Sequence, residues 1–251
     1  MKIQSLYRYP LKGFSPEFLE SIDLDNGKGF RFDRYWALEI GEQEFDHHNP
    51  SYLKKGRFIQ LLSHPKLALL KCKFNCEEQK LTIDSQEQQL GHFDLSNPSD
   101  KTKLEQVLIE YIDDANITTL NLGSAPQHHF SDIPQAAVSL INLASVRDLA
   151  KTMGSTIDPL RFRANIYVEG LDPWQELDWA GKSIWANGEK IFDVFEDIGR
   201  CLATHVNLET GERDLKIKNK LLETYNHSKC GVYVVSTSAT KITTGMQLTI
   251  K

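Results

Sequence analysis

Short runs in which apolar and polar side chains alternate, each closed by turn chemistry, constrain this chain more than any other feature. Ile22 and Leu24 alternate with Asp23 and Asp25, and Asp25-Asn26-Gly27 follows as a turn. Trp36, Leu38 and Ile40 alternate with Tyr35, Ala37 and Glu39. Successive side chains of a strand face opposite ways, so this spacing predicts half-buried antiparallel sheet. Leu70, Cys72 and Phe74 alternate with Lys71 and Lys73, and after a polar turn at 77–80 Leu81 and Ile83 continue the pattern. Cys72 reads there as a small hydrophobe facing the core. Several such strands at close spacing favour a barrel or a sandwich.

Helical period interrupts this pattern in few places. Leu104, Val107, Leu108, Tyr111 and Ile112 form one apolar face after a cap at Ser99 or Asp100. A domain junction is expected just beyond it, near residue 118, dividing the chain into 1–118 and 119–251. A second helix is expected over 143–153, with Asn142 as N-cap and Gly154 in the left-handed C-terminal position. Leu221, Leu222 and Tyr225 suggest a third, short one. Ile166 and Val168 read as a strand, and 183–186 and 189–195 as a hairpin around Asn187-Gly188, because a type I′ turn needs positive φ at both central residues. Val232 to Val235 and Met246, Leu248 and Ile250 read as closing strands, with Gly245 at the turn between them. The expected class is mostly β with a few helices.

Charge and cysteine use narrow the function. A net charge of -5 over 251 residues argues against a nucleic-acid binder, which needs a basic face, but allows a small anion held by a few arginines. No run approaches the ~18 apolar residues of a membrane span, and the first residues lack the apolar region of a secretory signal. The four cysteines fit reduced thiols, and the chain is expected to be cytosolic. Cys72 and Cys76 lie far from Cys201 and Cys230, so no zinc ligand set emerges. The adjacent pairs His47-His48 and His128-His129 read as surface loops. No Gly-x-Gly-x-x-Gly or P-loop is present.

Chemistry is most concentrated at Gly199-Arg200-Cys201. A guanidinium beside a thiol favours the thiolate, the form that binds soft metals and attacks electrophiles, and Gly199 removes bulk on the approach side. Cys201 could equally be an inert buried thiol. A Cys201 and His205 pair is disfavoured if the segment is extended, because residues four apart then lie ~13 Å apart.

Four motifs stand in the order seen in MOSC-domain proteins. They are Tyr9-Pro10-Leu11-Lys12-Gly13, Asp33-Arg34-Tyr35-Trp36, Arg161-Phe162-Arg163-Ala164-Asn165-Ile166, and Arg200-Cys201-Leu202-Ala203-Thr204 with Glu209-Thr210-Gly211. The chain resembles a MOSC N-terminal β-barrel joined to a MOSC β-barrel domain over essentially its whole length. Within that family it is most similar to the bacterial and mitochondrial amidoxime-reducing branch.

The resemblance implies an enzyme that carries the molybdenum cofactor, a metal bound by molybdopterin, and reduces N-hydroxylated small molecules. It implies Cys201 as the molybdenum ligand and Gly199 and Arg200 as cofactor contacts. Lys12, beside Gly13, and Arg34 would hold phosphate and pterin, Arg163 and Asn165 would bind the pterin, and Tyr233 would supply an aromatic contact. Guanidinium and ammonium groups suit a phosphate dianion, and an amide suits a pterin edge. The spacing offers no four-cysteine iron-sulfur cluster, so electrons are expected from a separate donor protein. Two alternatives keep the fold: a persulfide carried on Cys201 for sulfur transfer, or a non-enzymatic cofactor-binding protein.

Overall fold

The computed structural model describes residues 1–126 and 128–251. Strands β1 (Lys2–Arg8), β2 (Glu17–Leu19), β3 (Ser21–Asp23), β4 (Ala37–Ile40), β5 (Lys71–Asn75), β6 (Lys80–Asp84) and β7 (Gln89–Asp94) precede helix α1 (Pro98–Ile112) and β8 (Leu120–Gly123). Then come β9 (Val138–Asn142), α2 (Leu143–Met153), β10 (Ile166–Glu169), β11 (Ser183–Ala186) and β12 (Glu189–Gly199). Helix α3 (Ile217–Tyr225) and strands β13 (Lys229–Ser236), β14 (Lys241–Thr243) and β15 (Thr249–Ile250) close the chain. The class is mostly β, as the alternation implies.

The largest sheet has the order β15-β11-β12-β13-β9-β10-β1-β2. Its N-terminal strand therefore belongs with the second half of the chain, β1 running antiparallel to β10 with Leu6 opposite Ile166. A register shift between Ile3 and Ser5 lets Ile3 and Leu6, three apart, face the same core, and both are fully buried with Val138, Leu140 and Val168. β9 and β10 are parallel, a pairing that alternation alone does not reveal, and α2 supplies the crossover between them. Asn142 caps α2 through Ala144 N–H, and Gly154 follows at φ +64, as expected.

A second core gathers Trp36, Leu38, Leu81 and Ile83 with Leu104 and Leu108 of α1. Here β5, β6 and β7 form one small sheet, and β4 pairs with β8, Leu38 opposite Leu122. Packing crosses residue 118 both ways: β8 completes the core around Trp36 and Leu38, and β1 and β3 contribute to the core of the largest sheet.

Three local expectations are corrected. The α1 cap is Asn97, whose side chain accepts from Ser99 N–H at 2.9 Å, because Pro98 takes the first helical position with its fixed φ. Glu39, expected on the open face of β4, is buried, since Arg57 and the N–H groups of Glu44 and Phe45 satisfy its carboxylate. The hairpin second strand does not stop at Phe195 but runs to Gly199. The turn itself is as read, with φ +50 at Asn187 and +84 at Gly188. Against β13, β12 carries register shifts between Val194 and Glu196 and between Asp197 and Gly199. Such bulges increase twist and re-aim side chains, here just before Cys201. Among the described residues, no helix is long and apolar enough to cross a membrane.

Candidate functional site

A cavity of about 390 Å³ opens between the two cores. The turn after β1 brings Lys12 and Gly13, and the loop before β4 brings Asp33 and Arg34. The short turn before β10 brings Arg161, Arg163 and Asn165, the end of β12 brings Gly199, Arg200 and Cys201, and β13 brings Tyr233. The nine cofactor-site residues that the resemblance implies all line this one space.

Its wall is built around Tyr9, which is fully buried between the cores. The Arg34 and Arg163 guanidinium carbons lie 4.7 Å and 4.4 Å from the centre of its ring. Both arginines are left-handed, at φ +48 and +53, a conformation that costs about 1–3 kcal/mol and clusters at functional sites. Arg34 is ion-paired with Asp33, donates to the Arg163 carbonyl at 2.8 Å and reaches Asn165 Oδ1 at 3.3 Å. Arg163 donates to the Phe14 carbonyl at 2.8 Å, and among the described residues no carboxylate pairs with it. Burial and then the neighbouring Tyr9, Arg34 and aspartates act on it, and its pKa falls below the usual arginine value. The hydroxyl of Tyr9 is buried without a partner among the described residues, and burial pushes it up to about 12.

Lys12, also buried, donates to Asp132 Oδ1 at 2.7 Å and to the Phe130 carbonyl at 2.8 Å. Burial lowers its ammonium pKa. Burial would raise Asp132, but Lys12, Lys55 and Arg34 hold its carboxyl well below the usual range. Gly13 stands where a Cβ would come within 3.0 Å of the Gln60 and Ile59 backbone.

Asn165 is largely committed to the fold. Its Oδ1 accepts from Ser139 N–H at 3.1 Å and Ser139 Oγ at 2.8 Å, and its Nδ2 donates to the Tyr7 carbonyl at 3.1 Å. It thereby ties β9 to β1 and to Arg34, keeping one amide N–H in reserve.

Cys201 is half-buried at the cavity edge and does not continue an extended segment. It caps a 3-10 turn over Leu202–His205, because Thr204 returns both its N–H (3.3 Å) and its hydroxyl (2.9 Å) to the Cys201 carbonyl. The turn does not make a Cys201 and His205 pair. His205 Nε2 accepts from Lys218 N–H at 3.1 Å, which directs the ring toward α3. Burial, then Arg213, Lys218, Lys216 and Arg161, lower its pKa.

Arg200 lines the cavity and also braces the fold. Its guanidinium donates to the Cys230 carbonyl, through Nε at 2.7 Å and also through Nη2, and to the Phe162 carbonyl at 3.0 Å. It therefore anchors the loop to β13. Gly231 makes room for it: at φ +82, a Cβ there would lie 2.4 Å from the Leu140 carbonyl and 3.1 Å from Arg200 Nη2. A lone glycine inside a valine-rich strand was the available signal of close backbone approach.

Arg161 and Asp214 also went unread. Arg161 is buried and donates to both Asp214 carboxylate oxygens, at 2.6 and 2.9 Å, and to the His205 carbonyl at 3.2 Å. It locks the turn bearing Arg163 to the turn bearing Cys201. The histidine pairs divide: His47 and His48 are exposed, but His128 packs against Phe45 and Phe130, and His129 Nδ1 lies 2.7 Å from the Asp33 carbonyl.

Among the described residues no three or more His, Cys, Asp or Glu converge to hold a metal ion. A metal at Cys201 must therefore bring ligands of its own. A Cβ on Gly199, which lines the cavity, would meet no protein atom within 4 Å, so that space is available to a ligand. One thiol, converging cations and an amide N–H suit an anionic, metal-carrying organic cofactor.

Two outcomes follow from these contacts. Gly231→Ala should lower the melting temperature by about 4 °C or more, through left-handed strain and the Leu140 contact; an unchanged value would contradict the close approach. Hydrogen bonds from Arg161 first, then from Asn207, hold Asp214 down at about 2. A carboxyl depressed on folding stabilises above its unfolded pKa and loses that effect as pH falls through the folded one. In urea unfolding, Asp214→Asn should cost stability fully above about pH 5 and little near pH 2. A cost independent of pH would exclude this role.

A profile described as the MOSC N-terminal beta barrel domain matches residues 1–133, and one described as the MOSC domain matches residues 125–249. The chain is 25% identical over 257 residues to the molybdenum cofactor sulfurase of Caenorhabditis elegans, an alignment covering 94% of this chain and 33% of that protein. It is 37% identical over 92 residues to the molybdenum cofactor sulfurase of Drosophila willistoni, covering 36% of this chain and 11% of that protein. The chain thus spans a third or less of either relative. The crystal structure of the YUAD protein from Bacillus subtilis aligns with 99% of this chain and 94% of its own, at 14% identity and a TM-score of 0.48. With both halves matched in order, the chain belongs to the MOSC family, as a MOSC N-terminal beta barrel domain followed by a MOSC domain.

Proposed function

We propose that the cavity binds the molybdenum cofactor through Cys201 and that the protein reduces N-hydroxylated small molecules. The observation that carries this reading is a cysteine at the edge of a cavity lined by six cationic side chains against four carboxylates, drawn from both cores. Lys12 and Arg34 would neutralise phosphate charge, and Arg163, which has no carboxylate partner among the described residues, would add a third cation. The free amide N–H of Asn165 and the ring of Tyr233 would contact the pterin, with Gly199 leaving space beside it and the Gly13 backbone lining the wall. Arg200 and Arg161 would hold the Cys201 turn in place from behind.

When bound, the cofactor would supply two-electron redox chemistry that these side chains lack. The reaction balances as one N–OH group, two electrons and two protons giving one N–H group and one water. Among the described residues no three His, Cys, Asp or Glu converge, so the four cysteines do not gather into an iron-sulfur ligand set. A separate donor protein would deliver the electrons.

A second reading has its own support in the relatives, which are named molybdenum cofactor sulfurase. On that reading Cys201 carries a persulfide and the arginines recognise an anionic acceptor. A non-enzymatic version would bind the cofactor without turnover.

Molybdenum and pterin analysis separates these. Protein from cofactor-competent cells should carry both, Cys201→Ser should lose most of the metal while staying folded, and wild type should convert benzamidoxime to the amidine with reduced methyl viologen. Wild type without metal and pterin would sink the cofactor reading. A sulfur adduct on Cys201 after incubation with a cysteine desulfurase, without amidoxime reduction, would favour the persulfide.

A further inference from the structure

The carboxylates that line the cavity are not alike. Asp33 is ion-paired with Arg34, Asp132 with Lys12 at 2.7 Å and Lys55 at 3.7 Å, and Asp197 with Lys229 at 2.8 Å. The fourth, Glu196, is exposed, and among the described residues no cation lies within ion-pair distance of its carboxylate and no side-chain hydrogen bond reaches it. Without a partner it adds little to stability. Nor does it serve an anionic cofactor, which it would repel.

A bulge puts it there. β12 and β13 pair Val194 with Val234, then Glu196 with Tyr233 and Asp197 with Val232. Unbroken register would set Phe195 opposite Tyr233, but the shift leaves Phe195 out of the ladder, 43% exposed, and moves Glu196 into its place. Val232 and Val234 are buried in the core of the largest sheet, so Tyr233 between them turns to the other face, toward the cavity. Residues directly opposite in an antiparallel pair share one face, their Cβ atoms about 5 Å apart, which sets the Glu196 carboxylate beside the Tyr233 ring. The electrostatics agree. Burial first, then Asp132, raises the Tyr233 phenol, Glu196 adds to this, and Arg200 and Arg34 oppose it. Gly199 ends the same strand, and it and Cys201 line the same cavity.

We propose that Glu196 is a specificity-determining residue that selects N-hydroxylated substrates whose reduced products are cations, amidoximes and N-hydroxyguanidines, over those whose products are neutral. The inference rests on the proposed reduction in this cavity. A neutral amidoxime, two electrons from one-electron donors such as reduced methyl viologen, and three protons give one amidinium cation and one water. The N–O bond breaks, its oxygen leaves in the water, and the nitrogen gains N–H bonds. Positive charge develops on the N–C–N unit during this change, so a carboxylate facing that unit stabilises the transition state more than the neutral substrate. An amidinium, like a guanidinium, presents two parallel N–H donors that match the two carboxylate oxygens. A hydroxamic acid is reduced to a neutral amide and develops no such charge.

The test uses the full chain with its cofactor and probes matched in shape. Benzamidine, a cation at neutral pH, is compared with benzamide for binding, and benzamidoxime with benzhydroxamic acid for reduction by reduced methyl viologen. Wild type should bind benzamidine at least about tenfold more tightly than benzamide, and Glu196→Gln, which keeps the shape and removes the charge, should abolish that preference. In Glu196→Gln, kcat/KM should fall at least about tenfold for benzamidoxime and less than about twofold for benzhydroxamic acid. Glu196→Asp should retain most of the preference. Neither variant should shift the melting temperature, because no partner in the fold is lost.

Equal binding of benzamidine and benzamide by wild type, binding of neither, or a preference that survives Glu196→Gln would overturn the assignment even if both substrates are reduced. So would an equal fall in kcat/KM for the two substrates. A benzamidine preference lost in Glu196→Gln, with reduction of neither substrate by wild type, would leave the charge selection standing and remove the proposed reaction.

Discussion

Two guanidinium groups held over one buried phenol ring are the constraint on which the site depends. Arg34 comes from the loop before β4 and Arg163 from the turn before β10, and both lie against Tyr9. Like charges so placed repel, and each residue also carries the cost of positive φ. Asp33, the Arg163 and Phe14 carbonyls and Asn165 offset this from behind. The cavity is left with more cationic than anionic character, in a protein whose net charge has the opposite sign. An anion entering there would relieve the repulsion instead of adding to it, which is the physical basis for the cofactor reading.

Local chemistry was legible in the sequence wherever its cause lies within a few residues. Asn187-Gly188 specified its hairpin, Asn142 and Gly154 bounded α2, and the alternation through Cys72 and Ile83 marked the small sheet. Non-local pairing was not legible. Nothing in Ile3 and Leu6 says that their partners lie beyond residue 160, because a bulge breaks the alternation and the partner strand leaves no mark on β1 itself. The parallel pairing of β9 with β10 is hidden for the same reason, since both strands are buried and read only as apolar runs.

At the site, the motifs identified which residues meet but not what each side chain does. Arg200 follows the glycine and precedes the thiol, yet its length carries the guanidinium to Cys230 and Phe162. Glu39 was legible as a strand residue but not as a buried one, because its partner Arg57 and two loop N–H groups lie outside the strand. Gly231 and the Arg161 and Asp214 pair left only weak signals, a glycine in a strand and two charges far apart in the chain.

The central claim is that Cys201 is a metal ligand in a cavity built from both cores. X-ray absorption at the molybdenum edge tests it most directly, on wild type and on Cys201→Ser, each spectrum normalised to the molybdenum that the protein retains. If the claim holds, wild type will show one more sulfur ligand at molybdenum than the variant. The same number of sulfur ligands in both would mean that Cys201 does not bind the metal.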